Sequence, residues 1–304
     1  MQKTQTYTKI NTLYKRYKNL GKVELPNKQW IKFQNKIILG DFSDDYMEYI
    51  KDLKFDCFSK IDGTNSKIVY LPSTGECFCG GKTDNADIIG NGQKAMLDQV
   101  IERIKPILAE MFPPESARFT PVLNDKKQIE CYDINENPVE VNSCGKYLVK
   151  YEESPIYIYG EFYGKGIQKC GGNYSKDEKR FAIFDVCEHG WWIPIDLLCD
   201  YSQKLGIELA PYIGRMTISE AEKMVMDGFK TRVPNVDNPD FIEEGIVARP
   251  VVPIKDPRGN RIIVKIKHCD YAELKAVINE VGSTEYEKFH KWYKDNQEMI
   301  ESIK

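Results

Sequence analysis

The chain has 304 residues, with 43 Lys and Arg against 46 Asp and Glu for a formal charge of −3, and it is 41% hydrophobic and 29% charged. That balance excludes wholesale disorder, and the length supports one large domain or two modest ones with a sizeable core. No apolar run approaches the ~20 residues that cross a bilayer, and MQKTQTYTKINTLYKRYKNL at the start has no stretch of signal-peptide length, so the expectation is a chain that is neither exported nor membrane-bound.

Residues 1–36 carry eight Lys and Arg16 against the single acid Glu24, a net of +8 that leaves −11 for the remainder. Tyr7, Tyr14 and Tyr17 lie among these bases. Two readings follow: a solvated helix or arm, or a surface that tracks a phosphate backbone. Residues 55–81 read as three strands joined by the turns Asp62-Gly63-Thr64-Asn65 and Pro72-Ser73-Thr74-Gly75. Met96, Leu97, Val100, Ile101, Ile104, Ile107 and Leu108 recur at helical spacing over 93–112; Pro106 predicts a kink or split, and Pro113-Pro114 a stop. The polar stretch 115–150 reads as an irregular or hairpin-rich insertion. Strands are predicted at 155–163 and 181–186, and helices at 196–206 and 219–229. The loop TRVPNVDNPD leads to a strand at 244–252, which the turn DPRGN returns as a strand at 261–268. Residues 270–303 predict two short helices, with Tyr286, Phe289, Trp292 and Tyr293 spaced to dock one of them on the core. Strands and helices mix without regular β-α-β alternation, so the expected class is α+β.

Few residues are suited to carry chemistry. The nine cysteines are scattered with no C-x-x-C pair, which disfavours a structural zinc site or disulfide framework and fits reduced thiols in a cytosol. With three histidines, catalysis falls to Lys, Glu and Asp. Lys60 precedes an Asp-Gly turn, which reads as a solvated hairpin lysine or as an amine beside a backbone that a ligand can approach. In IIVKIKH, strand alternation sends Val264 and Ile266 one way and Lys265 and Lys267 the other. Two lysines on one face need either water or an anion between them. Glu161 in IYIYGEFYG and Glu244 in EEGIVAR adjoin glycines in apolar strands: either edge-strand acids kept for solubility, or places where a ligand or metal comes close. In FAIFDV, Phe181 and Phe184 fall on opposite faces, and one ring is free to stack on a nucleobase.

Taken in order, KIDGTN at 60–65, GEFYG at 160–164, FAIFDV at 181–186, EEGIVAR at 243–249 and VKIKH at 264–268 resemble motifs I, III, IIIa, IV and V of the covalent nucleotidyltransferases. That superfamily holds ATP-dependent DNA ligases, RNA ligases and mRNA capping enzymes. Asn65 stands where DNA ligases and capping enzymes usually have Arg, which resembles the RNA-ligase-2-like branch. Asp62 is a departure, since that branch often carries His there. Lys82 stands where the family tends to have Arg.

The resemblance implies an ATP-grasp-like adenylation domain of antiparallel sheets flanked by helices over 37–268, with the insertion near 115–150. It also implies a basic segment at 1–36 and a short helical extension at 269–304. Too few residues follow His268 for an OB domain, so none is expected. Lys60 would attack the α-phosphorus of ATP, made nucleophilic by cations beside it: Lys265, Lys267 and a divalent Mg²⁺ or Mn²⁺. Lys265 and Lys267 would contact the α-phosphate. Glu244 would hold the metal, and Glu161 the metal or the ribose. Phe184 would stack on adenine. Ser59, Ile61, Asp62, Gly63 and Asn65 would shape the nucleotide turn, with Lys82, Val247 and Arg249 as further nucleotide contacts. The implied partner is RNA, as broken ends or a nicked duplex, with a DNA strand tolerated, for a cytoplasmic monomer. A minimal DNA ligase, a capping-type guanylyltransferase and a non-catalytic nucleic-acid-binding relative are the alternatives.

Overall fold

The computed structural model describes residues 6–18, 20–24, 30–83, 86, 88–90, 92–112, 120–123, 129–132, 138–139, 155–188 and 190–302. They fall into two compact units, one of residues up to Tyr7 with Gly63–Ala210, the other of Thr8–Asp62 with Pro211–Lys304. Both mix antiparallel sheet with helix, as expected of an α+β chain.

The unit containing Gly63–Ala210 is built on a six-stranded sheet. Its path runs Trp191–Trp192, Lys179–Glu188, Ile156–Gly164, Thr64–Leu71, Glu76–Gly81, with Glu208–Leu209 added in parallel to Lys179–Glu188. Two of its three inner strands, Ile156–Gly164 and Thr64–Leu71, are almost wholly buried, which accounts for their apolar runs. The helix Gln93–Met111 lies against this sheet through Leu97, Val100, Ile101, Ile104 and Leu108. Pro106 does not split it. Pro106 and Glu102 both face solvent, where water meets the carbonyl that the proline leaves without a donor, while the buried stripe holds both halves in one element. Within the insertion, Thr120–Leu123, Ile129–Tyr132 and Pro138–Val139 form a three-stranded antiparallel sheet; its remaining residues lie outside those described.

The other unit centres on a five-stranded sheet in the order Asn11–Thr12, Val264–Lys267, Gly245–Pro250, Phe55–Ser59, Tyr212–Met216. Only the first pairing is parallel. One face of the sheet (Phe55, Cys57, Ile246, Ala248, Val264, Ile266) packs on the helices Ile218–Asp227 and His268–Val281 through Ile218, Ala221, Val225, Tyr271 and Leu274. Thr217 and Glu220 close a capping box that starts the first helix. The strand expected at 261–268 is confined to Val264–Lys267: His268 already opens a helix, and before Val264 only an isolated bridge of Arg261 with Lys255 forms.

The first 36 residues are neither a helix nor a loose arm where described. Tyr14–Arg16 pairs with Ile37–Phe42, and Lys22–Glu24 with Trp30–Lys32. The C-terminal region is three helices rather than two: His268–Val281, Ser283–Asp295 and Gln297–Ser302. A second core joins these regions, with Tyr17, Leu20, Phe33 and Ile38 packed on Val277, Val281, Phe289, Tyr293 and Ile300. The rings of Phe33 and Phe289 stack with centroids 3.9 Å apart. Among the described residues no helix is long and apolar enough to cross a membrane.

Candidate active site

The five-stranded sheet has a second face, and strand parity decides what it carries. Val264 and Ile266 are about 1% exposed in the core, while Lys265 and Lys267 alternate to the other side and stay partly open. The register sets Lys267 opposite Gly245 and Lys265 opposite Val247; Val247 also lies opposite Phe58, and Arg249 opposite Asp56. Gly245 is required there: its φ is +154°, and a Cβ would stand 1.9 Å from the Ile266 carbonyl oxygen.

Lys60 follows the strand Phe55–Ser59, and its backbone N–H donates to the Gly245 carbonyl at 2.9 Å. This bond holds the lysine beside Glu244. The Lys60 ammonium donates to one Glu244 carboxylate oxygen, and Lys267 Nζ lies 2.7 Å from the other. A single carboxylate thus bridges two ammoniums in a partly buried setting. Burial pushes the Lys267 ammonium down, but the hydrogen bond and charge of Glu244, with Cys269 and Asp270, outweigh it and leave its pKa raised. Sequence reasoning surrounds Lys60 with cations alone. The structure instead puts an anion between Lys60 and Lys267, so the amine is held as a hydrogen-bond donor until Glu244 is drawn away.

The remaining predicted residues of this unit divide. Val247 is half-buried on the lysine face. Arg249 is only 6% exposed, with its guanidinium 4.3 Å from the Phe58 ring centroid, a stacked and packed position. Ser59 shares the parity of Cys57 and is buried on the core side, its hydroxyl without a hydrogen-bond partner among the described residues. Ile61 is buried and Asp62 partly so. Sequence reasoning passed over Asp56, which shares the parity of Phe58. It is buried, and it accepts from Tyr212 Oη and Arg215 Nε, both at 2.8 Å. Burial and this bond push Tyr212 up to about 12.

In the six-stranded sheet, Glu161 stands on an inner strand, opposite Asn65 on one side and Ala182 on the other. The edge-strand reading of Glu161 therefore falls. Gly63 fits against it closely: a Cβ there would lie 2.7 Å from Glu161 Cγ and 2.5 Å from the Phe162 carbonyl oxygen. Lys67, two residues beyond Asn65 and opposite Tyr159, shares this face and is 1% exposed, a buried lysine that the sequence reading did not single out. Its signal is a charge inside SKIVYL, an otherwise strand-like run. The register passes from Tyr159 opposite Asp185 to Gly160 opposite Ile183, which makes Phe184 the extra residue of a β-bulge. Bulges re-aim a side chain. Phe184 is half-buried where Phe181 is buried. The Tyr7 ring meets it edge-on with centroids 5.3 Å apart, and Tyr7 Oη donates to Asp185 Oδ2 at 2.8 Å. Lys82 is exposed just after the strand Glu76–Gly81.

The donor chemistry fits one kind of metal. Among the described residues no three His, Cys, Asp or Glu side chains cluster as a cage. Glu244 is a single hard carboxylate already holding two cations. Such a site suits a hard divalent ion that brings phosphate oxygens and water with it, and not a dedicated protein-only centre.

Comparison with known proteins adds the following. A sequence model of the family described as RNA ligase matches residues 55–267, which spans all the predicted site residues. No curated protein matches the chain significantly. Among solved structures, a Naegleria gruberi RNA ligase variant with ATP and Mn is similar at 13% identity and a TM-score of 0.46, over 88% of this chain and 61% of that one. The same ligase with PPi gives 15% and 0.46 over 89% and 62%, and an apo variant 14% and 0.44 over 76% and 54%. The chain thus spans about six-tenths of the length of that ligase or less.

Proposed function

The chain belongs to the RNA ligase family, and from that premise we propose that it is an ATP-dependent RNA ligase working through a lysyl-AMP intermediate. The observation that carries the reading is the convergence of Lys60 and Lys267 on the one carboxylate of Glu244. A lysine facing only solvent would need no such anchor.

The chemistry runs in three displacements. Lys60 Nζ, having lost its proton, attacks the α-phosphorus of ATP. The N–P bond forms as the bond to pyrophosphate breaks, leaving AMP on the lysine. A 5′-phosphate oxygen of RNA then attacks that phosphorus and frees Lys60, giving a 5′–5′ pyrophosphate. A 3′-hydroxyl finally attacks the RNA phosphate, and AMP departs.

Lys265 and Lys267 neutralise the charge that develops on the α-phosphate. Glu244 would hold a Mg²⁺ or Mn²⁺ ion, which would supply Lewis-acid charge to the phosphates, and Glu161 would contact the metal or the ribose. Glu244 also holds the Lys60 ammonium in place, so releasing that bond belongs to the activation of the nucleophile. Phe184 stacks on adenine, and Asp62, Gly63 and Asn65 shape the turn around the nucleotide, with Ile61, Val247, Lys82 and Ser59 supporting it. Arg249 contacts phosphate or the strand end, with its guanidinium positioned by the Phe58 ring. We further propose a monomer in the cytoplasm that also accepts a DNA strand. Seven of the described cysteines are free thiols, which supports the compartment.

Labelling with α-³²P ATP or GTP and Mg²⁺, followed by sealing assays on RNA or DNA ends, tests the reading. Acid-labile label from ATP and sealing of RNA ends are expected. Label from GTP alone, or sealing confined to DNA, would overturn it.

A further inference from the structure

The basic N-terminal segment sorts itself once its partners are known. Arg16 pairs with Asp270, Lys36 with Glu273, and Lys15 with Asp41 and Asp45. These bases are consumed inside their own unit. Among the described residues Lys9, Lys18, Lys22 and Lys32 have no such pairing, and of these Lys22 and Lys32 are set together. They stand directly opposite each other in the small antiparallel ladder of Lys22–Glu24 with Trp30–Lys32, and both are exposed. Neither has an ion-pair partner among the described residues. Like charges directly opposite on a ladder repel, and a two-stranded ladder this short has little stability of its own to offset that.

Alternation sorts the rest of the hairpin. Val23 turns to the other side and packs on the core of Tyr17, Phe33 and Phe289. Trp30 shares the lysine face and is 57% exposed, opposite Glu24. The outer face therefore shows a bare indole beside two unneutralised ammoniums. A folded chain has no packing reason to keep a tryptophan there. Paired cations with an exposed ring are the combination that grips a single strand, cations on phosphates and ring on a base.

We propose that this face is a binding site for single-stranded RNA, with Lys22 and Lys32 on neighbouring phosphates and Trp30 stacked on a base. The proposal rests on the RNA-ligase reading for the identity of the polyanion, and it gives that reading a place, outside the nucleotide motifs, where the strand is held.

Fluorescence anisotropy with the full chain and a labelled single-stranded oligouridylate, titrated between about 50 and 200 mM salt, tests it. Trp30→Ala is expected to weaken binding roughly tenfold through the lost stack. Lys22→Ser combined with Lys32→Ser is expected to lessen the slope of log affinity against log salt by about 1.4, two phosphates at ~0.7 each. Lys22→Glu separates binding from folding, because it places an opposite charge across from Lys32. Its unfolding temperature should hold or rise while its affinity falls. Wild-type affinity and slope in Lys22→Glu and Trp30→Ala would overturn the site. A wild-type chain that binds RNA through this face yet takes no AMP from ATP would end the ligase reading and leave the site standing. A chain that seals RNA with affinity indifferent to these changes would do the reverse.

Discussion

At the scale of single residues, Glu244 holds both the nucleophile candidate and a strand lysine. Its exchange for Gln removes the charge that raises Lys267. A raised lysine stabilises the fold fully below its unfolded pKa, about 10.4, and that contribution disappears as pH climbs through the higher folded value. Wild-type thermal stability should therefore fall as pH rises above about 10.4, and Glu244→Gln should flatten that part of the curve. Unfolding temperatures measured across the alkaline range check this; parallel curves would show that the pair contributes nothing.

Tyr7 allows a second prediction. Tyr7→Phe keeps the ring against Phe184 and loses the buried hydrogen bond to the Asp185 carboxylate, at a cost of about 1–3 kcal/mol. If Phe184 takes the adenine, the KM for ATP rises several-fold in Tyr7→Ala and much less in Tyr7→Phe. Equal KM values for all three proteins would detach Tyr7 from the nucleotide.

Much of this scale is legible in sequence. The alternation of VKIK sends both lysines to one face with no tertiary information, and Gly63 and Gly245 mark close approaches. Tyr7 is not legible: its partners are Asp185 and Phe184, and no local pattern encodes a contact so distant along the chain.

At the scale of elements, the lysine strand and the strand Gly245–Pro250 are held by a contact with no room for a methyl group. Gly245→Ala must push the strands apart or strain the backbone, at a cost of roughly 2–4 kcal/mol, and the shift moves Glu244 with it. A lower urea midpoint with loss of AMP labelling is expected; an unchanged midpoint would contradict the register.

The sequence reading places most strands and helices to within a few residues. Its misses have physical causes. Pro106 breaks no helix because it faces water. The last predicted strand is cut at its end because His268 begins a helix, and at its start because Arg261 makes only an isolated bridge. The bulge at Phe184 escapes a reading based on strict alternation, because one inserted residue leaves no composition signal.

At the scale of the whole molecule, the chain passes from one unit to the other three times, between Tyr7 and Thr8, between Asp62 and Gly63, and between Ala210 and Pro211. None of these crossings is marked by a linker, so sequence composition gives no hint of the division. The pairing of the N-terminal strands with the C-terminal helices is equally hidden, because it joins residues at opposite ends of the chain. Phe289 lies in that shared core. Phe289→Ala should cost about 3–5 kcal/mol, read as a lower unfolding temperature. A loss well under 1 kcal/mol would show that the two regions are not one core.

The most direct test of the central claim is peptide mapping by mass spectrometry after incubation with ATP and Mg²⁺. The account predicts a single AMP adduct on Lys60, absent from Lys60→Ala. An adduct on another residue, or none in a chain that still seals RNA, would contradict it.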